Sequence, residues 1–281
     1  MSQFEPGKMV NLSRLVHRVV APNAGMMTGP GTNTYLIGNK TLAVIDPGPA
    51  SPEHVDAICN AAKSLQGEIK WIICTHTHSD HSPGAQLLKA KTSAPLVGIK
   101  APPNGMGQDP TFEPDLAWQH HSQLATEEFN LTAIHTPGHA SNHLCFLLEQ
   151  EGLLFSGDHI MNGSTVVIAP PDGNMQHYLR SLEQLKHYEI KHIMPGHGDV
   201  MDKPQEIIEG TIQHRLMREQ KTLERLAMLQ PCTLETLTES VYDEVPPFLH
   251  SLAKFSLLAH LEKLVAENVV HENNDQWQLL Q

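Results

Sequence analysis

A short segment of the chain concentrates side chains that can bind metal ions. The apolar run WIIC leads directly into THTHSDH, residues 75–81, which holds three histidines and one aspartate. Imidazole nitrogens and carboxylate oxygens bind divalent cations such as zinc at about 2.0–2.2 Å. Alternate residues of an extended segment face the same side, so His76 and His78 are predicted to bind one ion. The turn that follows is expected to direct Asp80 and His81 to a second position nearby.

Three further candidate ligands lie in short glycine-containing segments. His139 is in TPGHAS, Asp158 in FSGDHI and His197 in MPGHGD, and each segment follows an apolar run typical of a strand. The seven candidates form two sets with one bridging residue: His76, His78 and His139 for one ion, Asp80, His81 and His197 for the other, and Asp158 between them. A polar loop can carry such residues as helix caps or solvated groups. Their joint occurrence in four segments favours a metal centre.

The elements that position these residues are indicated by turn residues and hydrophobic periodicity. Three strand-like runs come first: LVHRVVAP, TNTYLIGN and TLAVIDPG. A helix capped by Ser51 follows, then the strand IKWIICTH and a second helix, DHSPGAQLLKAK, with Ser79 or Asp80 as its N-cap. Because strand meanders are mixed with strand–helix alternation, we predict an α/β (α+β) fold of two sheets with helices outside them.

The pattern changes after residue 200. A long helix is predicted over residues 203–229, and two helices and two short strands around NND follow it, an order typical of a winged helix. We therefore predict a first domain over residues 1–200, a helical linker over 201–230 and a winged-helix-like domain over 231–281. Residues 101–128 are rich in Pro and Gly and are interpreted as a long loop that forms a lid.

The charge of the chain bears on its partners. The net charge is −12, which argues against binding a phosphate backbone through clustered Lys and Arg. From residue 231 onward the chain has eight acidic and two basic residues, a net charge of −6, so a recognition helix there would repel DNA. We expect a small-molecule substrate, and RNA stays open. Nineteen histidines are a further indication of metal binding.

The cysteines and the apolar runs bear on location. Four cysteines without CxxC spacing are expected to be reduced thiols. We find no apolar run long enough to cross a bilayer and no signal-peptide pattern at the start of the sequence. The sequence therefore predicts a cytoplasmic protein without a membrane partner, and a homodimer stays open.

The motifs resemble those of a known family. THTHSDH, TPGHAS, SGDH and PGHG, in this order, are similar to the motifs of the metallo-β-lactamase superfamily, and the resemblance covers about residues 15–200. It implies an αββα sandwich and a dinuclear site at the seven residues above, with Asp158 as the bridge. The sequence has HSPGA where many members have two glycines. With its winged-helix-like tail, the chain resembles the β-lactamase-like subgroup, which includes a mitochondrial endoribonuclease and many bacterial hydrolases.

The resemblance and the ligand set together imply hydrolysis. A metal-bound hydroxide would attack a small ester, thioester or phosphoester, and no nucleophilic side chain is required. Asp80 is the candidate catalytic residue, because it could orient the hydroxide while it binds metal. Two zinc ions are expected, with iron or manganese as alternatives. A single-strand endoribonuclease and a non-catalytic regulator with structural metal and an interaction tail are the alternative functions.

A few polar residues near the motifs are not assigned to either ion. His143 and His159 are interpreted either as hydrogen-bonded structural imidazoles or as groups that support the ligands or carry protons. Asp46, in VIDPG, either supports the ligand loop or forms a turn before Pro47. The pair His120 and His121 is expected at the surface.

Overall fold

The computed structural model describes residues 4–103, 105 and 107–280. Contacts divide the chain into two units, each made of several segments. The first comprises Met1–Thr136, Asn142–Thr165 and Tyr188–Pro204, and the second comprises Pro137–Ser141, Val166–His187 and Gln205–Gln281. The domain limits at residues 200 and 230 stay a prediction.

The larger sheet of the first unit has seven strands, which follow one another in chain order across the sheet. The first four strands pair antiparallel and the later pairs are parallel. The strands are β1 (Met9–Asn11), β2 (Val16–Val20), β3 (Asn33–Ile37), β4 (Thr41–Ile45), β5 (Glu68–Ile73), β6 (Leu96–Gly98) and β7 (Leu116–Ala117).

The second sheet has six strands in the order β13-β12-β11-β10-β9-β8. The strands are β8 (Gln123–Ala125), β9 (Asn130–His135), β10 (Leu144–Leu148), β11 (Leu153–Gly157), β12 (His192–Pro195) and β13 (Met201–Asp202). Strands β11 and β12 pair parallel, while the other neighbours are antiparallel.

The two sheets pack against each other through a shared apolar core. Tyr35 and Ile45 of the first sheet belong to the same buried cluster as Phe146 and Phe155 of the second. The rings of Tyr35 and Phe155 meet edge to face, with centroids 5.0 Å apart. A second buried cluster joins the other face of the first sheet to α1 (Pro52–Ser64) and α2 (Gly84–Thr92). The predicted fold class, sheets with helices outside them, is confirmed.

The two helices of the first unit start differently. Helix α1 begins as predicted, with the Ser51 side chain accepting a hydrogen bond from the His54 amide. The prediction that Ser79 or Asp80 caps α2 is wrong, because α2 begins at Gly84 and Pro83 occupies the N-cap position. The preceding residues form a separate turn, in which the carbonyl of His78 accepts the amide of His81 at 2.9 Å. This extra turn keeps the acidic and imidazole side chains off the helix.

The prediction of a single loop over residues 101–128 is also wrong. The segment contains β7 and β8, and Phe112 is fully buried within it. Asp109 accepts a hydrogen bond from the Ser82 hydroxyl at 3.0 Å, which ties the segment to the turn before α2. Positions 104 and 106 lie outside the described residues, so the lid stays a prediction.

The second unit contains the predicted long helix and the winged helix. Its elements are α3 (Met175–Leu185), α4 (Pro204–Leu229, of which all but Pro204 belong to this unit), α5 (Leu234–Val241), a 3-10 helix (Pro247–Leu249), α6 (His250–Ala266), β14 (Val270–Asn273) and β15 (Gln276–Leu279). Asn274 and Asp275, with φ of 53° and 60°, form the two-residue turn of the hairpin. Trp277 packs into an apolar cluster with residues of α4, α5 and α6.

Two further observations concern the sequence predictions. The four cysteines are free, and all but Cys59 are buried. Within the part of the chain that the structure describes, we find no helix with the length and hydropathy needed to cross a membrane.

Candidate metal centre

The predicted ligands of the first unit follow the ends of parallel strands. Asp158 and His197 come after β11 and β12, which pair parallel with Gly157 opposite Pro195. The THTHSDH segment comes after β5, which pairs parallel with β4. Since parallel strands end at the same edge of a sheet, the pairing of β11 with β12 brings Asp158 close to His197.

Four of the predicted ligands form one compact group. Asp80, His81, Asp158 and His197 each offer a ligand atom within 4.8 Å of the others. Nε2 of His197 lies 3.1 Å from Oδ2 of Asp80 and 3.4 Å from Oδ1 of Asp158. Nε2 of His81 lies 3.5 Å and 3.4 Å from the same two oxygens. Two nitrogens and two carboxylates therefore converge on one point.

Hydrogen bonds on the far side of each ring decide which nitrogen faces this point. Nδ1 of His81 donates to Oδ2 of Asp46 at 2.9 Å, and Nδ1 of His197 contacts the carbonyl of Gly31 at 3.3 Å. Among the described residues, both Nε2 atoms are buried and make no hydrogen bond of good geometry, and the atoms nearest to them on this side are carboxylate oxygens 3.1–3.5 Å away. A buried nitrogen without a partner is costly, and a cation between the imidazoles and the carboxylates removes that cost. These residues fit a zinc-type ion.

The electrostatics of this group favour positive charge. Burial alone would raise the pKa of Asp158, but His197 and His81 outweigh burial and hold that pKa well below its usual value. Burial opposes protonation of His197, yet Asp158 and Asp80 raise its pKa to about 9. Without a metal, protons on the imidazoles compensate the carboxylates. A divalent cation would supply the same charge and release those protons.

The remaining predicted ligands are His76, His78 and His139. Nε2 of His76 lies 2.9 Å from Nδ1 of His78. The two imidazoles are therefore close enough to bind one ion, for which the sequence also predicts His139 as a ligand. Burial, followed by the nearby His81 and His78, holds the pKa of His76 well below its usual value, which favours the neutral form that binds metal. His139 lies in the 137–141 segment of the second unit, where its Nδ1 contacts the Val167 carbonyl at 2.7 Å.

Asp46 supports the ligand segment directly. Its carboxylate accepts hydrogen bonds from the Thr75 amide at 2.7 Å and the Thr75 hydroxyl at 2.8 Å, in addition to the ring of His81. Its own φ is +51°, so it also forms the turn after β4. Both interpretations made from the sequence therefore hold for this residue.

The two unassigned histidines are both completely buried beside the ligands. Nδ1 of His143 lies 2.9 Å from the Thr136 hydroxyl, and its ring centroid is 5.0 Å from that of His76. The ring of His159 lies 5.9 Å from that of His143. His120 and His121 are exposed and stack on each other, as expected for surface residues.

One supporting residue was missed by the sequence reasoning. The Asn33 side-chain amide donates to the carbonyls of Pro195 and Gly198, both at 2.9 Å, and so spans the loop that carries His197. Tyr35 donates to the same Pro195 carbonyl at 2.8 Å. Both residues lie in TNTYLIG, which the sequence analysis used only as a sign of a strand.

Comparison with known proteins identifies the family. The model of the family described as the metallo-beta-lactamase superfamily matches residues 27–197, more than half of the chain. The chain belongs to this superfamily. A second family, the beta-lactamase associated winged helix domain, matches residues 233–277. The predicted membership and the winged-helix-like tail are both confirmed.

Individual members of the superfamily extend the likeness. The chain is 31% identical over 276 residues to the Beta-lactamase-like protein 2 homolog of Caenorhabditis elegans, covering 96% of this chain and 90% of that protein. It is 32% identical over 218 residues to Thioesterase pkgB of Emericella nidulans, covering 77% of this chain and 60% of that protein. A metallo-beta-lactamase family protein of Thermus thermophilus has the same fold, with a TM-score of 0.79 at 20% identity and coverage of 96% and 100%.

Proposed function

We propose that this protein is a dinuclear metal-dependent hydrolase that cleaves a small thioester or ester. The observation that carries the proposal is the convergence of Asp80, His81, Asp158 and His197, with two buried Nε2 atoms directed at two carboxylates. Membership of a superfamily that includes hydrolases supports the reaction type.

The choice of a thioester or ester has separate support. Relatives named as thioesterases are about 30% identical to this chain, among them Thioesterase pkgB at 32%. The net charge of −12 gives an RNA backbone little attraction. The same metal ions could also support hydrolysis of a phosphoester, and the assay below tests for that activity.

The ions would be held by the seven predicted ligands. His76, His78 and His139 would bind the first, Asp80, His81 and His197 the second, and Asp158 would bridge them. Zinc suits these donors, and iron or manganese are the alternatives. When bound, such ions lower the pKa of water and polarise an acyl oxygen.

The residues of the chain supply orientation. Asp46 and the Gly31 carbonyl hold the rings of His81 and His197 so that Nε2 faces the ions. The side chain of Asp80 is 25% exposed, against 11% for Asp158, so substrate and water can reach it more readily. We propose that the Asp80 carboxylate accepts a hydrogen bond from the attacking water and directs it at the acyl carbon.

The test is a substrate panel on protein of measured metal content. Acyl-coenzyme A thioesters, p-nitrophenyl esters, bis-p-nitrophenyl phosphate and single-stranded RNA are compared for the unmodified protein, Asp158→Asn and the exposed control Asp56→Asn. We expect thioester or ester turnover that falls at least about 10³-fold in Asp158→Asn and is unchanged in Asp56→Asn.

Each other result overturns the proposal in a different way. Metal-dependent cutting of RNA with no ester turnover would establish the endoribonuclease. Phosphodiester turnover alone would change the substrate class. No turnover of any of the four substrates by folded, metal-loaded protein would favour the non-catalytic regulator.

A further inference from the structure

The loop that carries His139 is tied to the rest of the second unit. The Gly138 carbonyl accepts the Asn174 amide at 2.7 Å, and the Pro137 carbonyl accepts the Ser181 hydroxyl at 2.8 Å. Nδ1 of His139 itself contacts the Val167 carbonyl at 2.7 Å. The orientation of the imidazole therefore depends on where the backbone of residues 166–168 is held.

Helices α4 and α6 both contact that backbone. Arg215 of α4 donates a guanidinium hydrogen bond to the Val166 carbonyl, and the Ser256 hydroxyl of α6 accepts the Ile168 amide at 3.4 Å. These contacts lie on either side of Val167. We call residues 166–168 the strap.

Arg215 is itself fixed in place. It is only 3% exposed, and its guanidinium carbon lies 5.3 Å from the ring centroid of Tyr178. A buried guanidinium that donates to a carbonyl makes a charge-assisted bond, stronger than a neutral one. Removal of this side chain would leave the Val166 carbonyl without its guanidinium donor and would break this contact between α4 and the strap.

We propose that Arg215, assisted by Ser256, is a positioning residue that orients His139 through the carbonyl of Val167. The inference rests on the proposed function, since it takes His139 as a metal ligand. Helices α4 and α6 would thereby support the loop that carries His139. Groups that orient a metal ligand from behind typically change metal affinity 10- to 100-fold when they are removed.

The experiment compares metal binding in matched variants of the full chain. Arg215→Gln and Ser256→Ala remove the two contacts, Arg215→Lys keeps a cationic donor, and His139→Ala removes the ligand. Arg225→Gln and Ser251→Ala are controls on the same two helices. The two zinc dissociation constants are measured by chelator competition, and the cobalt(II)-substituted proteins are compared by visible absorption.

We expect Arg215→Gln to lower the affinity for one of the two ions by about tenfold or more. Its cobalt(II) spectrum should shift towards that of the His139→Ala protein. Ser256→Ala should lower the affinity for the same ion by less, and Arg215→Lys should keep part of the affinity that Arg215→Gln loses. Both controls should match the unmodified protein. If Arg215 only stabilises the fold, Arg215→Gln will lower the unfolding temperature of the metal-free protein without changing either zinc dissociation constant.

The outcomes separate this inference from the proposed function. If His139→Ala binds both ions as tightly as the unmodified protein, His139 is no ligand and the dinuclear assignment is wrong. If His139→Ala lowers the affinity for one ion while Arg215→Gln and Ser256→Ala leave both affinities unchanged, only the positioning role is wrong. Should Arg215→Gln fail to fold, Arg215→Lys and Ser256→Ala decide the question by the same measurement.

Discussion

Asp46 accepts a hydrogen bond from Nδ1 of His81 at 2.9 Å, with both side chains buried. The substitution Asp46→Asn places an amide where the carboxylate accepts this proton, while Asn tolerates the φ of +51° at this position. We expect the affinity for the ion at His81 to fall about 10- to 100-fold, measured by chelator competition. The exposed variant Asp56→Asn serves as control, and an unchanged affinity would show that Asp46 only forms the turn.

Gly196 leaves no room for a side chain beside the metal centre. A Cβ atom there would lie 2.7 Å from Oδ1 of Asp158 and 2.8 Å from Cε1 of His81. Gly196→Ala should therefore displace a ligand, abolish binding of one ion and lower the unfolding free energy by about 1–3 kcal/mol.

Gly210 offers a matched comparison. It lies inside α4, and apart from its chain neighbours and the nearby backbone of the helix, no described atom lies within 4 Å of its Cβ position. Gly210→Ala should raise the unfolding free energy by about 0.5–1 kcal/mol and leave metal content unchanged. Equal metal content in the two variants, measured by elemental analysis, would contradict the close packing described for Gly196.

Asn33 bridges two carbonyls of the loop that carries His197. Asn33→Ala leaves the buried Pro195 carbonyl and the part-buried Gly198 carbonyl without this donor, so we expect a loss of about 2 kcal/mol in the unfolding free energy of the metal-free protein. The loop should also hold His197 less well, which lowers metal affinity. Urea unfolding in chelator, with the exposed variant Asn60→Ala as control, tests the first effect. A loss no larger than that of the control would mean that the loop is held by its other contacts.

His54 makes the stability of the first unit depend on pH. Its Nε2 lies 2.7 Å from the Thr34 hydroxyl, and burial lowers its pKa from 6.5 to about 4. Between these values the unfolded chain binds the proton and the folded chain does not, so stability is complete above pH 6.5 and falls as the pH drops towards 4.

The loss attributable to His54 is on the order of 3 kcal/mol. His54→Gln keeps a donor for Thr34 but cannot titrate, so its unfolding free energy should fall less steeply over this window. Urea unfolding at a series of pH values measures the slope, with the exposed variant His187→Gln as control. Parallel curves for His54→Gln and the unmodified protein would disprove the assignment.

The proximity of Asp80, His81, Asp158 and His197 could be predicted because the signals are local. Each of these residues lies in a polar segment that follows an apolar strand, and glycine or proline marks the ends of β11 and β12. Parallel pairing then places Asp158 and His197 side by side, although 39 positions of the sequence separate them. Family motifs added the assignment of residues to each ion.

The supporting contacts could not be predicted in the same way. Asn33 and Pro195 are 162 residues apart, and Arg215 and Val166 are 49 apart. No periodicity within one segment encodes such pairs, since they depend on how whole elements pack. The predicted start of α2 was wrong for a related reason. The carbonyl of His78 accepts the amide of His81 and forms a separate turn, which local capping preferences do not reveal.

Helix α6 shows the limit of periodicity itself. Apolar residues at helical spacing form a stripe along α6 that takes in Val265 and leaves out His260, yet Val265 is 40% exposed and His260 is completely buried. His260 pairs with Glu219 of α4 at 3.2 Å, and Lys263 pairs with the same carboxylate at 2.7 Å. A polar residue can be buried when a neighbouring helix supplies its partner, and the sequence of α6 alone does not show that partner.

The discontinuous second unit bears on how such a chain can evolve. Residues 137–141 and 166–187 are grouped with residues 205–281. Recombination that replaced only the segment after residue 204 would carry away Arg215 and Ser256 and leave the strap and the His139 loop behind. Chimeras of this kind would pair the strap and the His139 loop with helices that did not evolve to hold them.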